Sequence, residues 1–230
     1  MIPLPSPPSS WRDRSRWSPQ RLFLWTLPRR FHEFAARLFF TPLSPLFEKA
    51  GATVSDSAGD PLNHTSVTTA QLDLILRALA QSESLSSPVI EIGSYRGITT
   101  RAMANATKRE IIAVDPYLGD GGHPKDLALF EAHTAGLENV RMLRAASDPA
   151  FESWGDQPVS FVFIDAIHEY SHAWYDFAAW GSLVPSGGMV AFHDVDLFPG
   201  VNRIILKILR QYPEWKPWGL AYNIAIFRRA

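Results

Sequence analysis

Short apolar runs separated by segments of helical periodicity dominate the chain from residue 68 to residue 228. Each run holds four to six residues, and half of the runs are directly followed by a glycine or an acid. Runs of this length that are rich in Val, Ile and Phe are typical of strands buried on both faces of a sheet. The pattern predicts strands at Val89–Ile92, Ile111–Val114, Val140–Leu143, Val159–Ile164, Met189–Phe192 and Asn223–Phe227.

Amphipathic helices are predicted between these strands, because apolar residues recur there at spacings of three and four. Thr68 with Gln71 three residues later resembles a capping box, which predicts the start of the first of these helices. Strands that alternate with helices predict an α/β domain whose mainly parallel sheet is covered on both faces. The helical segments lie near residues 69–79, 99–106, 126–135, 170–177 and 201–209.

The N-terminal part has a different composition, since eight of the 18 prolines fall within residues 1–50. Residues 1 to about 20 are predicted to be a disordered or extended leader. Apolar spacing from Phe31 to Phe39 predicts an amphipathic helix. That helix either docks on the domain as an extra element or anchors residues 11–40 to a membrane surface. We therefore divide the chain into a Pro- and Arg-rich leader with its helix, 1–50, and a main domain, 51–230.

Charge and composition narrow the set of partners. The net charge of −1 combines +5 in residues 1–50 with −6 in residues 51–230, so the main domain lacks the basic surface that nucleic-acid binding requires. The absence of cysteine excludes disulfides and thiolate metal sites and favours a cytoplasmic location. A small-molecule partner is expected, and a homo-oligomer stays open.

The segment Val89–Thr100 carries the first chemical signal. An apolar strand containing Glu91 runs into Gly93 and Gly97, and a predicted helix follows. The glycines let the backbone approach a ligand closely, and the helix start offers unpaired N–H groups. This layout predicts the binding of a nucleotide-like cofactor.

Four acids lie at or just beyond the ends of predicted strands: Glu91, Asp115, Asp165 and Asp194. Ligands bind at this edge of open α/β sheets. Each acid alone could cap a helix, but the set of four favours a ligand site. Asp115 follows Glu91 by 24 residues, which is where a Rossmann-like site places a carboxylate on ribose hydroxyls.

The glycine pattern excludes two cofactor classes. The loop after the first of these strands lacks the third glycine of G-x-G-x-x-G, and the chain has no G-x-x-x-x-G-K-[ST] segment. These are the patterns of dinucleotide sites and of phosphate-binding P-loops.

A divalent cation is predicted where two strands end side by side. Neighbouring parallel strands lie roughly 4.8 Å apart, so Asp165 and Asp194 would converge if their strands are adjacent. Mg²⁺ accepts one or two carboxylates and keeps positions for water or a substrate hydroxyl. His193 is either a third ligand or a packed, hydrogen-bonded histidine. His168 is the leading candidate for a general base, with His193 as the second; the alternative for His168 is a helix-terminal position without a catalytic task.

In sum, these motifs resemble class I S-adenosylmethionine-dependent methyltransferases, and in detail methyltransferase domain family 24, which is related to small-molecule O-methyltransferases. The similarity covers residues 68–228 in order. It implies a Rossmann-like, doubly wound, mainly parallel seven-stranded sheet with an N-terminal helical extension. The segments that carry it are Glu91–Gly97, Ala113–Tyr117, Phe163–Tyr170, Leu183–Gly188 and Ala191–Asp194.

The resemblance also implies roles for individual residues. Asp115 would bind the ribose and Tyr117 would lie on the adenine side. Related sugar and polyketide methyltransferases hold a metal at comparable acids, which implies Mg²⁺ or another divalent cation at the end of the fourth and fifth predicted strands. The implied metal ligands are Asp165, His193 and Asp194, and the residues implied to hold the methionine part are Glu91, Gly93, Ser94, Tyr95 and Gly97.

The sequence departs from the wider pattern at three places. Tyr95 stands where the superfamily has its middle glycine, and His193 stands where a carboxylate is often found. The acid often found after the third of these strands is replaced by Ala145-Ala146-Ser147. Ser147 or Asp148 would therefore reach the adenine.

Three functions are open at this point. The favoured hypothesis is metal-assisted O-methylation of a small hydroxylated molecule, with Asp165, His168 and His193 as the catalytic residues. The second is a non-catalytic or hydroxylase-like relative on the same fold. The third is a membrane-associated binding module led by the basic N-terminal segment.

Overall fold

The computed structural model describes residues 2–8, 40–119 and 122–230. The predicted amphipathic helix, the membrane-contacting segment and most of the predicted leader lie outside the described residues. The described part contains seven helices and eight strands. The helices are α1 Ser44–Lys49, α2 Thr69–Gln81, α3 Ile98–Ala106, α4 Pro124–Thr134, α5 Ser147–Trp154, α6 Tyr170–Ser182 and α7 Pro199–Gln211. The strands are β1 Thr53–Ser55, β2 Val89–Ile92, β3 Ile111–Val114, β4 Val140–Leu143, β5 Phe161–Ile164, β6 Met189–Phe192, β7 Trp215–Ala221 and β8 Ile224–Arg229.

All eight strands form one sheet in the order β1-β7-β8-β6-β5-β2-β3-β4. β2 pairs with both β3 and β5 in parallel, and β5 pairs in parallel with β6. β8 is antiparallel to its two neighbours. The chain leaves β2 toward β3 and β4 and then returns to the other side of β2 as β5. Strand order therefore reverses between β2 and β5, and this switch point is where ligands bind in open α/β sheets.

Side chains of the central strands alternate between two apolar layers, as the period of a strand requires. Ile90 and Ile112 contribute to a layer that contains residues of α5, α6 and α7. Val89 and Ile111 contribute to the opposite layer, with residues of α2 and α3. This confirms the predicted α/β fold with a mainly parallel sheet covered on both faces.

The sheet has eight strands instead of the predicted seven. β7 was missed because Pro217 and Gly219 interrupt its pattern, and the pairing with β8 shifts register between these two residues. Proline and glycine are depleted in regular strands, so propensity argues against a strand there. β1 was missed because it is only three residues long.

The main domain begins before the predicted boundary at residue 50. Phe47 of α1 is fully buried, and its ring contacts the ring of Phe227 on β8. The Thr41 backbone also hydrogen-bonds in both directions with the Asn202 side chain of α7. Residues 40–49 therefore pack against the main domain, with Leu43 and Phe47 buried in its core.

No helix within residues 2–8, 40–119 and 122–230 is long and apolar enough to cross a membrane.

A buried guanidinium ties the N-terminal ends of the central strands to α2. The Arg109 side chain donates hydrogen bonds to the Leu79 and Ser82 carbonyls, to the Ser160 hydroxyl at 2.9 Å and to Glu83 at 2.8 Å. Arg109→Met removes all of these hydrogen bonds and the charged partner of Glu83, so we expect the free energy of unfolding to fall by about 3 kcal/mol.

Urea unfolding measures this loss, and Arg141→Met is the matched control. Arg141 pairs with Glu110 at 2.7 Å, but both side chains are more than one third exposed. Exposed pairs of this kind contribute about 1 kcal/mol or less. Equal losses in the two variants would contradict the structural role of Arg109.

Candidate active site

Two connected cavities open at the C-terminal edge of the sheet, around the switch point. The β4-side cavity has a volume of about 300 Å³ and extends past Asp115 to Ser147. The β6-side cavity has a volume of about 560 Å³ and extends past Thr99 to Asp194. The two cavities share the lining residues Gly93, Tyr95, Asp165, Ala166 and Ile167.

The loop after β2 is held in conformations that explain its sequence. Gly93 has φ 90°, and a Cβ at this position would overlap with the carbonyl oxygen of Asp165. Only glycine therefore lets the loop lie against the end of β5. Tyr95 has φ 46°, so it adopts the left-handed conformation that a glycine would adopt easily. Gly97 ends the loop and precedes the first residue of α3.

Asp115 stabilises this loop from the end of β3. Its Oδ2 accepts a hydrogen bond from the Tyr95 backbone N–H at 3.0 Å, and its Oδ1 accepts one from the Tyr117 N–H at 2.9 Å. Burial raises the pKa of Asp115, and these two backbone bonds oppose that shift. Each carboxylate oxygen keeps a lone pair that can face the β4-side cavity.

Tyr117, which was expected on the adenine side, lines neither of the two cavities. Its side chain is completely buried beneath the loop. Its hydroxyl donates to the Tyr95 carbonyl at 2.7 Å and lies 3.2 Å from the Ser94 hydroxyl. Tyr117 therefore supports the loop from below and lines neither cavity, because the turn after β3 directs its ring into the core.

Glu91 and Ser94 line the β6-side cavity, as does Thr99, which the sequence analysis missed. Burial raises the pKa of Glu91 to about 8, although the Thr100 hydroxyl donates a hydrogen bond to it. Thr99 lies in the first turn of α3, where its hydroxyl adds to the unpaired backbone donors of a helix start. Thr99 could have been found in the sequence by its position two residues after Gly97, at the start of the predicted helix.

Two acids and two histidines meet where β5 and β6 end. The pairing of Ile164 with Phe192 places the residues that follow these strands side by side. Nδ1 of His193 lies 3.1 Å from Asp165 Oδ1 and 3.3 Å from Asp194 Oδ1. Nε2 of His168 lies 3.5 Å from Asp165 Oδ1 and 3.3 Å from Asp194 Oδ2. One ligand atom from each of the four residues lies within 4.8 Å of the others.

The charges in this cluster are coupled. Burial alone would raise the pKa of Asp165, but His193 and His168 outweigh it and lower that pKa to about 2. Burial alone would lower the pKa of His193, but Asp165 and Asp194 raise it well above its ordinary value. The cluster is therefore built to hold positive charge between two carboxylates.

The two histidines of the cluster differ in access. His193 is 1% exposed, lies edge-on to the Phe163 ring and lines neither cavity. Its placement does not support a general-base role toward a substrate. His168 lines the β6-side cavity, and its ring stacks on Phe198 with the centroids 4.4 Å apart. Of the two histidines in the cluster, His168 is therefore the one that can contact a molecule bound in the cavity.

A second layer holds Asp194 in place. Its backbone has φ 58°, and its Oδ1 accepts a hydrogen bond from the Asn223 amide at 2.8 Å. The Asn223 oxygen in turn accepts a bond from the Gln71 amide of α2. Supporting bonds of this type orient carboxylates at metal sites.

Ser147 and Asp148, which were expected to reach the adenine, line the β4-side cavity together with Asp176 of α6. Asp176 was not among the site residues predicted from the sequence. The available signal was one acid among the buried residues 173–181 of α6. Burial raises the pKa of Asp176 to about 7, although its bond with the Ser147 side chain opposes that shift.

This raised pKa predicts a pH effect on stability. The folded protein favours the protonated form of Asp176, because burial raises the pKa of this carboxyl. The contribution of Asp176 to the free energy of unfolding is therefore fully present below pH 3.8, its ordinary pKa, and is lost as the pH rises from 3.8 to about 7. Asp176→Asn removes that loss. The free energy of unfolding of the variant minus that of the wild type should therefore increase by about 2 kcal/mol between pH 5 and pH 8.

Urea unfolding of both ligand-free proteins at the two pH values measures this difference. Titrations of all other groups cancel in the comparison, since both proteins contain them. A gain that is equal at pH 5 and pH 8 would contradict a raised Asp176 pKa.

The chain matches a family model described as a methyltransferase domain over residues 90–195. An uncharacterized protein of Acanthamoeba polyphaga mimivirus is 26% identical over 143 residues, which span 56% of this chain and 63% of that protein. The chain thus matches less than two thirds of that relative's length.

Solved structures show the same fold. The O-methyltransferase NovP superposes with a TM-score of 0.58 at 15% identity, covering 86% of this chain and 99% of NovP. An O-methyltransferase from Bacillus cereus, solved in complex with SAH, superposes with a TM-score of 0.57 at 15% identity, covering 91% and 96%. At this identity the likeness establishes the fold alone, an α/β Rossmann-like fold with a mainly parallel central sheet that these O-methyltransferases share.

Proposed function

We propose that this chain, whose residues 90–195 belong to methyltransferase domain family 24, transfers a methyl group from S-adenosylmethionine to a hydroxyl group of a small molecule. The observation that carries the proposal is the pair of joined cavities that meet at Gly93 and Asp165. One cavity suits an adenosine and the other suits a methionine end together with an acceptor. S-adenosylmethionine would supply an activated methyl group on its sulfonium.

The described residues fit this cofactor along its length. The free lone pairs of Asp115 suit the two ribose hydroxyls. The N-terminus of α3 and the Thr99 hydroxyl suit the methionine carboxylate. Asp165, which stays ionised because its pKa is low, suits the methionine ammonium.

A divalent cation fits the cluster at the ends of β5 and β6. Nε2 of His168 and Nδ1 of His193 are buried and make no aligned hydrogen bond with any described residue, although carboxylate oxygens lie 3.1 to 3.5 Å away. Asp165, Asp194 and His193 would hold the ion, and second-layer bonds from Asn223 already orient Asp194. When bound, such an ion lowers the pKa of a coordinated hydroxyl.

His168 is the residue of the cluster that would accept the proton of the acceptor hydroxyl. It lines the β6-side cavity, and its stacking on Phe198 fixes the ring plane. Asp165 and Asp194 would stabilise the imidazolium that forms, since both lie within 3.5 Å of Nε2. Proton removal and alignment are the main tasks of the protein, because the methyl group is already activated.

Calorimetry with S-adenosylmethionine and its demethylated product tests the cofactor, and transfer of a labelled methyl group to a panel of sugars and phenols tests the reaction. We expect binding of both nucleosides and transfer to at least one hydroxylated acceptor, increased by Mg²⁺. Absence of binding with and without Mg²⁺ would overturn the proposal. Binding without transfer to any panel member, including in Mg²⁺, would favour a non-catalytic relative instead.

A further inference from the structure

Asp176 is a buried acid that the proposed reaction does not yet use. It lies in the second turn of α6, is 3% exposed and lines the β4-side cavity beside Ser147. Asp115 and the loop after β2 line the same cavity. Asp176 belongs to the part of the lining that α5 and α6 form, whereas Asp115 belongs to the part that the end of β3 forms.

A short relay of hydrogen bonds fixes the orientation of this carboxylate. Trp180 Nε1 donates to the Ser147 hydroxyl oxygen at 3.0 Å. The Ser147 side chain in turn hydrogen-bonds to Asp176. A hydroxyl has only one proton, so the donor of Ser147 is used within the protein. Asp176 keeps further acceptor lone pairs and requires a donor for them.

The cavity itself supplies few donors. The ionisable side chains that α5 and α6 add to the lining besides Asp176 are Asp148, His172 and Tyr175, and His168 lies close enough to lower the Asp176 pKa slightly. No lysine or arginine is present among the described lining residues. A buried carboxylate without a lysine or arginine in the lining of its cavity favours a donor that the ligand brings.

We propose that Asp176 accepts a hydrogen bond from the exocyclic amine of adenine and thereby selects adenine over bases that carry an oxygen at this position. The inference rests on the proposed function, because it requires S-adenosylmethionine in the joined cavities. It assigns to α6 the task of the acid that is replaced after β4 by Ala145-Ala146-Ser147. The Asp176 carboxylate lines the same cavity as residues 145–147, but it belongs to a different element.

The cost of burying Asp176 is consistent with a ligand-binding role. Burial raises its pKa to about 7, so the free protein loses stability by keeping this acid at neutral pH. Groups with such shifts are concentrated at functional sites. An oxygen in place of the amine would face the carboxylate with a second acceptor, which leaves both groups unpaired.

The experiment is calorimetry on the full chain with two probes, S-adenosylhomocysteine and S-inosylhomocysteine, which differ by an amine and a carbonyl at the same ring position. We expect the wild type to bind the adenine compound about 30-fold or more tightly. In Asp176→Asn the preference should shrink to about threefold or less, because an amide can turn its NH₂ toward the carbonyl. Glu152→Gln changes an exposed acid of α5 that does not line this cavity, so it should keep the wild-type preference.

The outcomes separate the two proposals. If neither probe binds the wild type, the proposed function fails and this assignment fails with it. If S-adenosylhomocysteine binds but the wild type shows no preference, only the adenine assignment is overturned, and this result requires no variant to fold. Full preference in a folded Asp176→Asn variant, or its loss in Glu152→Gln, overturns the assignment as well.

Discussion

Asp115→Ala is expected to weaken S-adenosylmethionine binding by about 100-fold or more. Two ribose hydroxyls would lose a buried, charged acceptor, and each such bond contributes about 1.5 to 3 kcal/mol. The same change removes the acceptors of the Tyr95 and Tyr117 backbone N–H groups, which hold the loop after β2 in shape. Binding and loop geometry therefore depend on one side chain.

Calorimetry with S-adenosylhomocysteine measures this loss, and Asp115→Asn separates its two causes. Asparagine keeps one oxygen acceptor in the same place but presents an NH₂ group where the second oxygen was. We expect an affinity between those of the wild type and Asp115→Ala. Asp73→Ala removes an exposed acid of α2 that pairs with Arg77 and lines neither cavity, so this variant should bind like the wild type. Wild-type affinity in a folded Asp115→Ala protein would exclude Asp115 as the ribose ligand.

Asp194→Asn is expected to weaken divalent cation binding by about 100-fold. The change removes a full negative charge from the cluster while asparagine tolerates the left-handed backbone at this position, φ 58°. Hard divalent cations bind anionic oxygens far more strongly than neutral amide oxygens in sites of this type. The fold should be retained, because the side chain keeps its shape beside Asn223.

Electron paramagnetic resonance with Mn²⁺ measures cation binding without any knowledge of the acceptor. Asp196→Asn is the matched control, since this acid lies two residues further along the chain and is not a member of the cluster. It should bind Mn²⁺ like the wild type. Failure of the wild type to bind Mn²⁺, or unchanged binding in Asp194→Asn, would leave His168 to act without a metal.

Local pattern was sufficient to predict most of the sheet. Every strand predicted from an apolar run is present, because a strand buried on both faces must be apolar throughout. β7 shows the limit of that pattern. Its Pro217 and Gly219 oppose a strand locally, and pairing with β1 on one side and β8 on the other overrides this preference.

The positions of some site residues could likewise be predicted from local pattern, and those of others could not. The position of Asp115 could be predicted because it depends on the place of this residue after β3, and the structure puts its carboxylate against the loop after β2. Tyr117 could not be placed, since the direction of one side chain after a turn depends on the packing around it. Asp176 is far from the first motif in sequence, and only the contact between α5 and α6 brings it to Ser147.

The amino-acid sequence by itself determined the α/β class, the glycine loop and the acids at the ends of the strands. These features follow from local rules: the period of apolar residues, the backbone freedom of glycine and the polarity of a strand end. The tertiary structure alone decided that β5 lies beside β6, which joins Asp165, His168, His193 and Asp194 into one cluster. It also decided which histidine faces the cavity, because strand order and side-chain burial arise from packing between segments far apart in the chain.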